Sequence, residues 1–211
     1  MTKDRRQLKM VEEIDEIFML SSEIKQAFYE VNRELFVPKG FGRMAFKLDA
    51  LPMQQNQWIS SPLTVAKMTH HLKLKGVDSI LEVGCGSGYQ AAILSKLCRR
   101  VFTIERIDSL LKEAKERFRS ERINNIFTRF DDGQRGWKKY APYERIIFSA
   151  TATHIPKAIL EQLAEGGILL APVEKKKGLQ IITRYQKKDG KVTSEALEPC
   201  LFVPILDGRV K

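Results

Sequence analysis

The stretch Ile80-Leu81-Glu82-Val83-Gly84-Cys85-Gly86-Ser87-Gly88-Tyr89-Gln90-Ala91-Ala92 decides the fold. Ile80–Val83 is a short apolar run of strand length, and an apolar helix pattern runs from Tyr89 to about Leu97. Between them, three glycines let the backbone turn sharply and leave room for a ligand beside the positive end of the helix. Further along, Val101–Ile104 reads as the next strand and Asp108 to Ser120 as an amphipathic helix. Asn125–Thr128 and Arg145–Phe148 read as two more strands. A helix begins near Pro156 and is closed by Gly166-Gly167, and Ile168–Val173 is a fifth strand. Extended segments follow at Leu179–Gln186 and Cys200–Val203. Apolar strands alternating with helices predict an α/β fold with a doubly wound, mostly parallel sheet.

Upstream the rhythm is helical. Leu8, Val11, Ile14 and Phe18 recur at three- and four-residue spacing, and Ser21-Ser22 offer caps to a second run with Ile24, Ala27, Phe28 and Val31. From Phe36 to Ser61 the periodicity is lost and Pro38, Gly40, Gly42 and Pro52 accumulate. A long irregular segment in a compact chain is usually functional or disordered. Ser61-Pro62 then predicts an N-cap with proline at the first helical position, and Val65, Met68 and Leu72 form that helix's buried stripe.

Composition narrows the function classes. At 211 residues and 43% hydrophobic, the chain suits one folded domain and is too apolar to be disordered throughout. No apolar run reaches the roughly 18 residues of a membrane-spanning helix. The opening Met1-Thr2-Lys3-Asp4-Arg5-Arg6 leads into mixed charge, not an apolar secretion signal. Cys85, Cys98 and Cys200 are odd in number and widely spaced, which argues against a disulfide framework or zinc site and for a cytoplasmic protein with reduced thiols. The net charge of +10 invites nucleic acid as a partner. However, the basic excess around Lys112–Arg122 is interleaved with acids at helical spacing, and no RNA-binding aromatic signature is present, so nucleic acid is an unfavoured partner. His70, His71 and His154 read as structural, and no metal site is evident.

The glycine spacing bears on the ligand. Glu105 ends the second strand about 20 residues beyond the loop, where a carboxylate can accept both hydroxyls of a ribose. The dinucleotide pattern Gly-x-Gly-x-x-Gly fails at Tyr89. The observed Gly-x-Gly-x-Gly, preceded by Glu82, needs no cradle for a pyrophosphate and favours S-adenosylmethionine over a nicotinamide cofactor. Asp131-Asp132-Gly133 follows the third strand, and a carboxylate there could accept from an adenine amino group.

With Leu81–Ala92 are Phe36-Val37-Pro38, Val101–Arg106, Pro142–Ile147, Ile155-Pro156, Glu161-Gln162-Leu163 and Phe202-Val203-Pro204. Together they resemble the protein-L-isoaspartate (D-aspartate) O-methyltransferase family, from about Arg33 to Pro204. The resemblance implies a class I S-adenosylmethionine-dependent methyltransferase fold, Rossmann-like, with an N-terminal helical extension. Residues 1–61 would be that extension with a substrate-side loop, and 62–211 the cofactor-binding core of one compact domain. It implies that Gly84, Gly86, Ser87, Gly88, Glu105, Asp132 and Gly133 line the cofactor site. It also implies methyl transfer to the free α-carboxylate of isoaspartyl residues in damaged proteins, with no metal; the oligomeric state is left open by the sequence, a monomer being favoured.

The family's substrate motif reads like Leu-Pro-x-Gly-x-Gly-Gln-Thr-Ile-Ser-x-Pro. Here Leu51–Pro62 keeps Gln57, Ile59 and Pro62 and places Ser60 on the active-site serine. Gln54 and Asn56 replace the two glycines, and Trp58 replaces the threonine. Asn56 tolerates positive φ, whereas Gln54 does not. These departures leave open a divergent methyltransferase with another substrate or little isoaspartyl activity, and the basic charge leaves open a nucleic-acid-binding protein on the same scaffold.

Overall fold

The computed structural model describes residues 4–211; Met1–Lys3, part of the stretch read above for a secretion signal, lie outside the described residues. Helix α1 (Arg5–Ile17) starts where Asp4 accepts the Arg6 N–H, and it buries Gln7, Met10, Val11 and Ile14. Helix α2 (Ser22–Glu30) is capped by Ser21 and buries Ile24, Ala27 and Phe28. The Gln7 amide donates to the carbonyls of Phe28 (2.7 Å) and Val31 (2.9 Å), which locks α1 onto the end of α2.

The irregular segment that follows holds a small antiparallel pair, β1 (Leu51–Pro52) and β2 (Trp58–Ile59). Helix α3 (Pro62–His71) begins as expected: Ser61 Oγ accepts the Thr64 N–H at 3.1 Å and Pro62 occupies the first turn.

The main sheet is built from β3 (Ser79–Val83), β4 (Arg100–Glu105), β5 (Ile126–Phe130), β6 (Tyr143–Phe148), β7 (Leu163–Lys176), β8 (Leu179–Lys188) and β9 (Lys191–Cys200). Their spatial order is β5-β4-β3-β6-β7-β8-β9, parallel through β7 and antiparallel for β8 and β9. Helices α4 (Tyr89–Ser95), α5 (Asp108–Ser120) and α6 (Lys157–Glu161) connect the parallel strands. The chain winds outward from β3 through β4 to β5, then returns to lay β6 on the other side of β3. That reversal leaves a crevice at the carboxyl end of β3, where open α/β sheets bind ligands.

Both faces of the parallel sheet are covered. Ile80, Val101, Ile147 and Leu170 belong to a core shared with α1–α3 and α4, while Leu81, Phe102, Ile146 and Leu169 pack on the opposite side. This two-residue alternation is the strand period. The extension and the sheet therefore share one continuous apolar core. Among the described residues, no helix is long and apolar enough to cross a membrane.

The structure corrects several boundaries. Gly166-Gly167 do not close a helix; α6 stops at Glu161, and the two glycines lie inside β7. Between the pairs Tyr143–Leu163 and Arg145–Ile168, β7 carries surplus residues, and the glycines absorb this bulge. A Cβ on Gly167 would stand 2.7 Å from the Ala164 carbonyl oxygen, so no larger residue fits. The third strand is shifted to Ile126–Phe130 because the Asn125 side chain is tied to the carbonyls of Ser95 and Cys98. The final strand is Lys191–Cys200, not Cys200–Val203. It is set by Asp189-Gly190 with φ of 52° and 71°, an Asp-Gly hairpin turn.

Candidate active site

The carboxyl ends of β3 and β4, the loop after β5 and the β1–β2 pair meet around one cleft of two lobes. Ser60, Glu82, Cys85, Ser87, Tyr89 and Phe202 line the first lobe. Glu105, Gly133, Ala150 and Leu206 line the second, and Trp58, Gly84, Gly86 and Ser149 border both.

The glycine loop is tied to β4 by its acidic partner. Glu105 is 5% exposed; its Oε2 accepts the Gly86 N–H at 2.8 Å and its Oε1 accepts the Ile107 N–H at 2.9 Å. Each oxygen keeps a further lone pair for a ligand hydroxyl. Burial raises the Glu105 carboxyl above its ordinary value, and the backbone donors oppose that. Gly86 has φ of 52°, and a Cβ there would meet no atom within 4 Å, so the space beside it is open cleft. The buried carboxylate, a peptide edge without side chains and a helix N-terminus together suit the ribose and amino-acid tail of S-adenosylmethionine.

Two of the residues assigned to the cofactor from sequence do not line the cleft. Gly88 packs against α5, where a Cβ would fall 2.7 Å from the Phe118 ring, so it serves helix–sheet packing. Asp132 has both oxygens engaged by backbone: Oδ1 caps the Gln134 N–H, and Oδ2 accepts the Gly208 N–H at 3.0 Å. It pins the C-terminal tail beside the second lobe, and each of its oxygens, like those of Glu105, keeps a further lone pair. Gly133, beside it, does line the lobe, packed against Val83. Ser87 is 5% exposed, and its Oγ accepts the Tyr89 N–H.

The altered substrate motif has a definite shape. β2 alternation buries Ile59 (3% exposed) and turns Trp58 (54% exposed) to the opposite side, where it borders both lobes. Ser60, two residues on, faces the cleft as well. The left-handed residues are Gln55 (φ 59°) and Asn56 (φ 55°), not Gln54. Ser60 is held from behind. Arg33, 0% exposed, donates from Nη2 to the Ser60 carbonyl (2.9 Å) and from Nε to the Ala45 carbonyl (2.8 Å), and it lies 4.8 Å from the Tyr89 ring centroid.

Glu82, 0% exposed, accepts from Thr103 Oγ1 (2.6 Å) and Ser149 Oγ (3.1 Å). Burial pushes its carboxyl up to about 8. Between its ordinary value of 4.5 and about 8, the folded chain keeps a proton that the unfolded chain has released. Stability is therefore full below that window and falls as pH rises through it. Glu82→Gln, neutral throughout, should flatten the melting temperature between about pH 5 and about pH 8. Identical slopes for the variant and the parent would mean that Glu82 is ionised in the fold.

Burial also pushes the Cys85 thiol well above its ordinary range. At 4% exposure the thiol is a packed side chain of the cleft wall and a poor nucleophile. His71 faces Glu198 at 3.3 Å on α3, and His154 is exposed; neither lines the cleft. Among the described residues, no group of three or more His, Cys, Asp or Glu could hold a metal ion.

This sheet order and this cleft define a class I S-adenosylmethionine-dependent methyltransferase. The chain belongs to the protein-L-isoaspartate (D-aspartate) O-methyltransferase family, whose sequence model matches residues 4–210. It is 51% identical over 200 residues to a protein-L-isoaspartate O-methyltransferase of Helicobacter pylori (strain J99 / ATCC 700824), covering 94% of this chain and 95% of the relative. It is 41% identical over 208 residues to the protein of that name in Maricaulis maris (strain MCS10), covering 99% and 97%. Among solved structures, a protein-L-isoaspartate O-methyltransferase superposes with a TM-score of 0.88 at 23% identity, over 97% of this chain and 67% of that one. A Plasmodium falciparum β-aspartate methyltransferase in complex with S-adenosyl-L-homocysteine superposes at 0.85 and 19% identity, over 96% and 99%.

Proposed function

We propose that this chain transfers a methyl group from S-adenosylmethionine to the free α-carboxylate of L-isoaspartyl or D-aspartyl residues in damaged proteins. The observation that carries the reading is that Ser60 lines the same lobe as the Gly84–Ser87 loop. S-Adenosylmethionine supplies an electrophilic methyl group. Glu105 receives the ribose hydroxyls, and the backbone at Gly84 and Gly86 lies against the amino-acid tail.

The substrate's α-carboxylate is already ionised at neutral pH, since such groups titrate near roughly 3.5, so the chain needs no general base. Ser60 acts by donating a hydrogen bond from its hydroxyl to one carboxylate oxygen, which aims the other at the methyl group. Charge is neutralised as the ester forms, so a dry, oriented site serves the reaction. Trp58 and Phe202 supply apolar surface to the rim of the first lobe, against which a bound peptide would close it to water. Within the N-terminal extension, the irregular segment from Phe36 to Ser61 supplies the peptide side of the cleft, and residues 62–211 the cofactor side. The absence of a disulfide framework suits the cytoplasm, and one chain carries a whole cleft, which suits a monomer.

Radiolabelled methyl transfer to an isoaspartyl peptide, with the aspartyl peptide as control, tests this assignment. Label on the isoaspartyl peptide alone is the expected result, and label on both or neither overturns it. By calorimetry, Glu105→Ala should weaken S-adenosylhomocysteine binding by about 1.5–3 kcal/mol, the scale of lost hydrogen bonds to a charged group. Unchanged affinity would remove Glu105 from the ribose site.

A further inference from the structure

We propose that the β7–β8 hairpin recognises acidic residues flanking the isoaspartyl site, with Lys175, Lys176 and Lys177 as the recognising groups. The inference rests on the reading that segments of damaged protein enter this cleft, and it adds which segments enter best.

Position comes first. β6 pairs with β7 only as far as Leu170, yet β7 and β8 stay paired to Lys176. Six further residues at about 3.3 Å each carry the hairpin roughly 20 Å past that last β6 pairing, over the carboxyl edge where the cleft lies. The overhang is fastened to the cleft wall. The Glu174 N–H donates to the Ala152 carbonyl (3.0 Å), next to Ala150 and Thr151. Gln180 takes the Phe202 N–H on its Oε1 (2.7 Å) and donates from Nε2 to the Phe202 carbonyl (3.0 Å). Phe202 lines the first lobe, so the hairpin and the methyl-transfer site share a wall.

Charge comes second. Lys175, Lys176 and Lys177 are consecutive and exposed, and none has an ion-pair partner among the described residues. Glu174, the nearest acid in sequence, is turned to the Gly178 N–H at 3.2 Å. Several other surface cations are paired locally, as in Lys112–Asp108 and Arg184–Glu195, whereas these three are consecutive and free at one hairpin tip. Three unpaired ammonium groups raise the potential at the mouth of a site whose substrate group is an anion, and they fit a segment with additional carboxylates. The overhanging tip, residues 171–180, bears no aromatic platform for stacking bases, so the chemistry favours an acidic peptide over a nucleic acid.

The test uses the full chain and two isoaspartyl peptides that differ only in Glu or Gln at the flanking positions. Methylation rates are measured, together with peptide binding by fluorescence anisotropy in saturating S-adenosylhomocysteine. At about 20 mM salt the Glu peptide should show a KM and a Kd roughly tenfold below those of the Gln peptide, and about 300 mM salt should erase most of the gap. The triple variant Lys175→Gln, Lys176→Gln, Lys177→Gln should lose the preference at low salt with kcat retained. Equal KM and Kd for the two peptides in the parent, or an unchanged preference in the variant, overturns the proposal. So does a variant whose only deficit is weaker binding of a single-stranded RNA. If the binding preference is present but neither peptide is methylated, the hairpin assignment stands and the isoaspartyl assignment falls.

Discussion

Arg33→Met should lower the unfolding free energy by about 3 kcal/mol, the cost of stripping buried carbonyl groups of their donors. Its guanidinium is fully buried and donates to the Ala45 and Ser60 carbonyls, neither of which has a regular-strand or helix partner there. No ion pair fixes Arg33 among the described residues, and burial lowers its ordinarily very high pKa. Removing the charge therefore relieves some desolvation and leaves no stranded anion behind, which keeps the loss below that of a broken buried ion pair. For a chain of this size, about 3 kcal/mol corresponds to roughly 6–12 °C in melting temperature. Chemical denaturation of both proteins measures it. An equal or higher stability in the variant would show that the cost of burying the cation outweighs its hydrogen bonds. The same substitution frees the Ser60 carbonyl, so methyl transfer should weaken even below the melting transition.

The contrast between Arg33 and Glu105 shows what the sequence can and cannot carry. Glu105 is legible because it closes an apolar strand at a fixed distance from a glycine loop, and the sheet geometry then brings the two together. The strand order follows in the same way from apolar runs spaced by helices. Arg33 sits in Asn32-Arg33-Glu34, a polar triplet that reads as surface. It is buried because an irregular segment crossing the interior exposes carbonyls that no ladder satisfies, and a five-donor side chain can meet several at once.

The second engagement of Asp132 was not legible for a related reason. Its position after β5 is right for a ligand, but the C-terminal tail also folds back, and the Gly208 N–H reaches one of its oxygens. Such long-range backbone contacts leave no mark on local pattern. The Asp189-Gly190 turn did leave one, and reading it would have placed β9.

Ser60→Ala should cut turnover about 10²-fold, with little change in cofactor affinity, if the hydroxyl acts as a positioned donor to the substrate carboxylate. Trp58 decides how the rest of the motif behaves. An indole folded into the pocket would narrow it, and restoring the family's threonine and glycines would then speed the enzyme. The indole instead turns outward, 54% exposed at the junction of the two lobes, on the same side of β2 as Ser60. There its face can lie along a bound peptide, a contact of about 0.5–1.5 kcal/mol beyond simple burial. Trp58→Thr should therefore raise KM for an isoaspartyl peptide roughly fivefold, with kcat nearly intact, because the ring touches peptide and not the reacting carboxylate. Adding Gln54→Gly and Asn56→Gly should not restore the loss, since the left-handed residues are Gln55 and Asn56, and Asn already accepts that conformation. Steady-state kinetics of the four proteins separate the cases. A triple variant faster than the parent would place the indole inside the pocket and overturn the platform. A Ser60→Ala enzyme with unchanged kcat would move carboxylate positioning to another donor in the lobe, for which the hydroxyls of Ser149 and Thr64 are the nearest candidates.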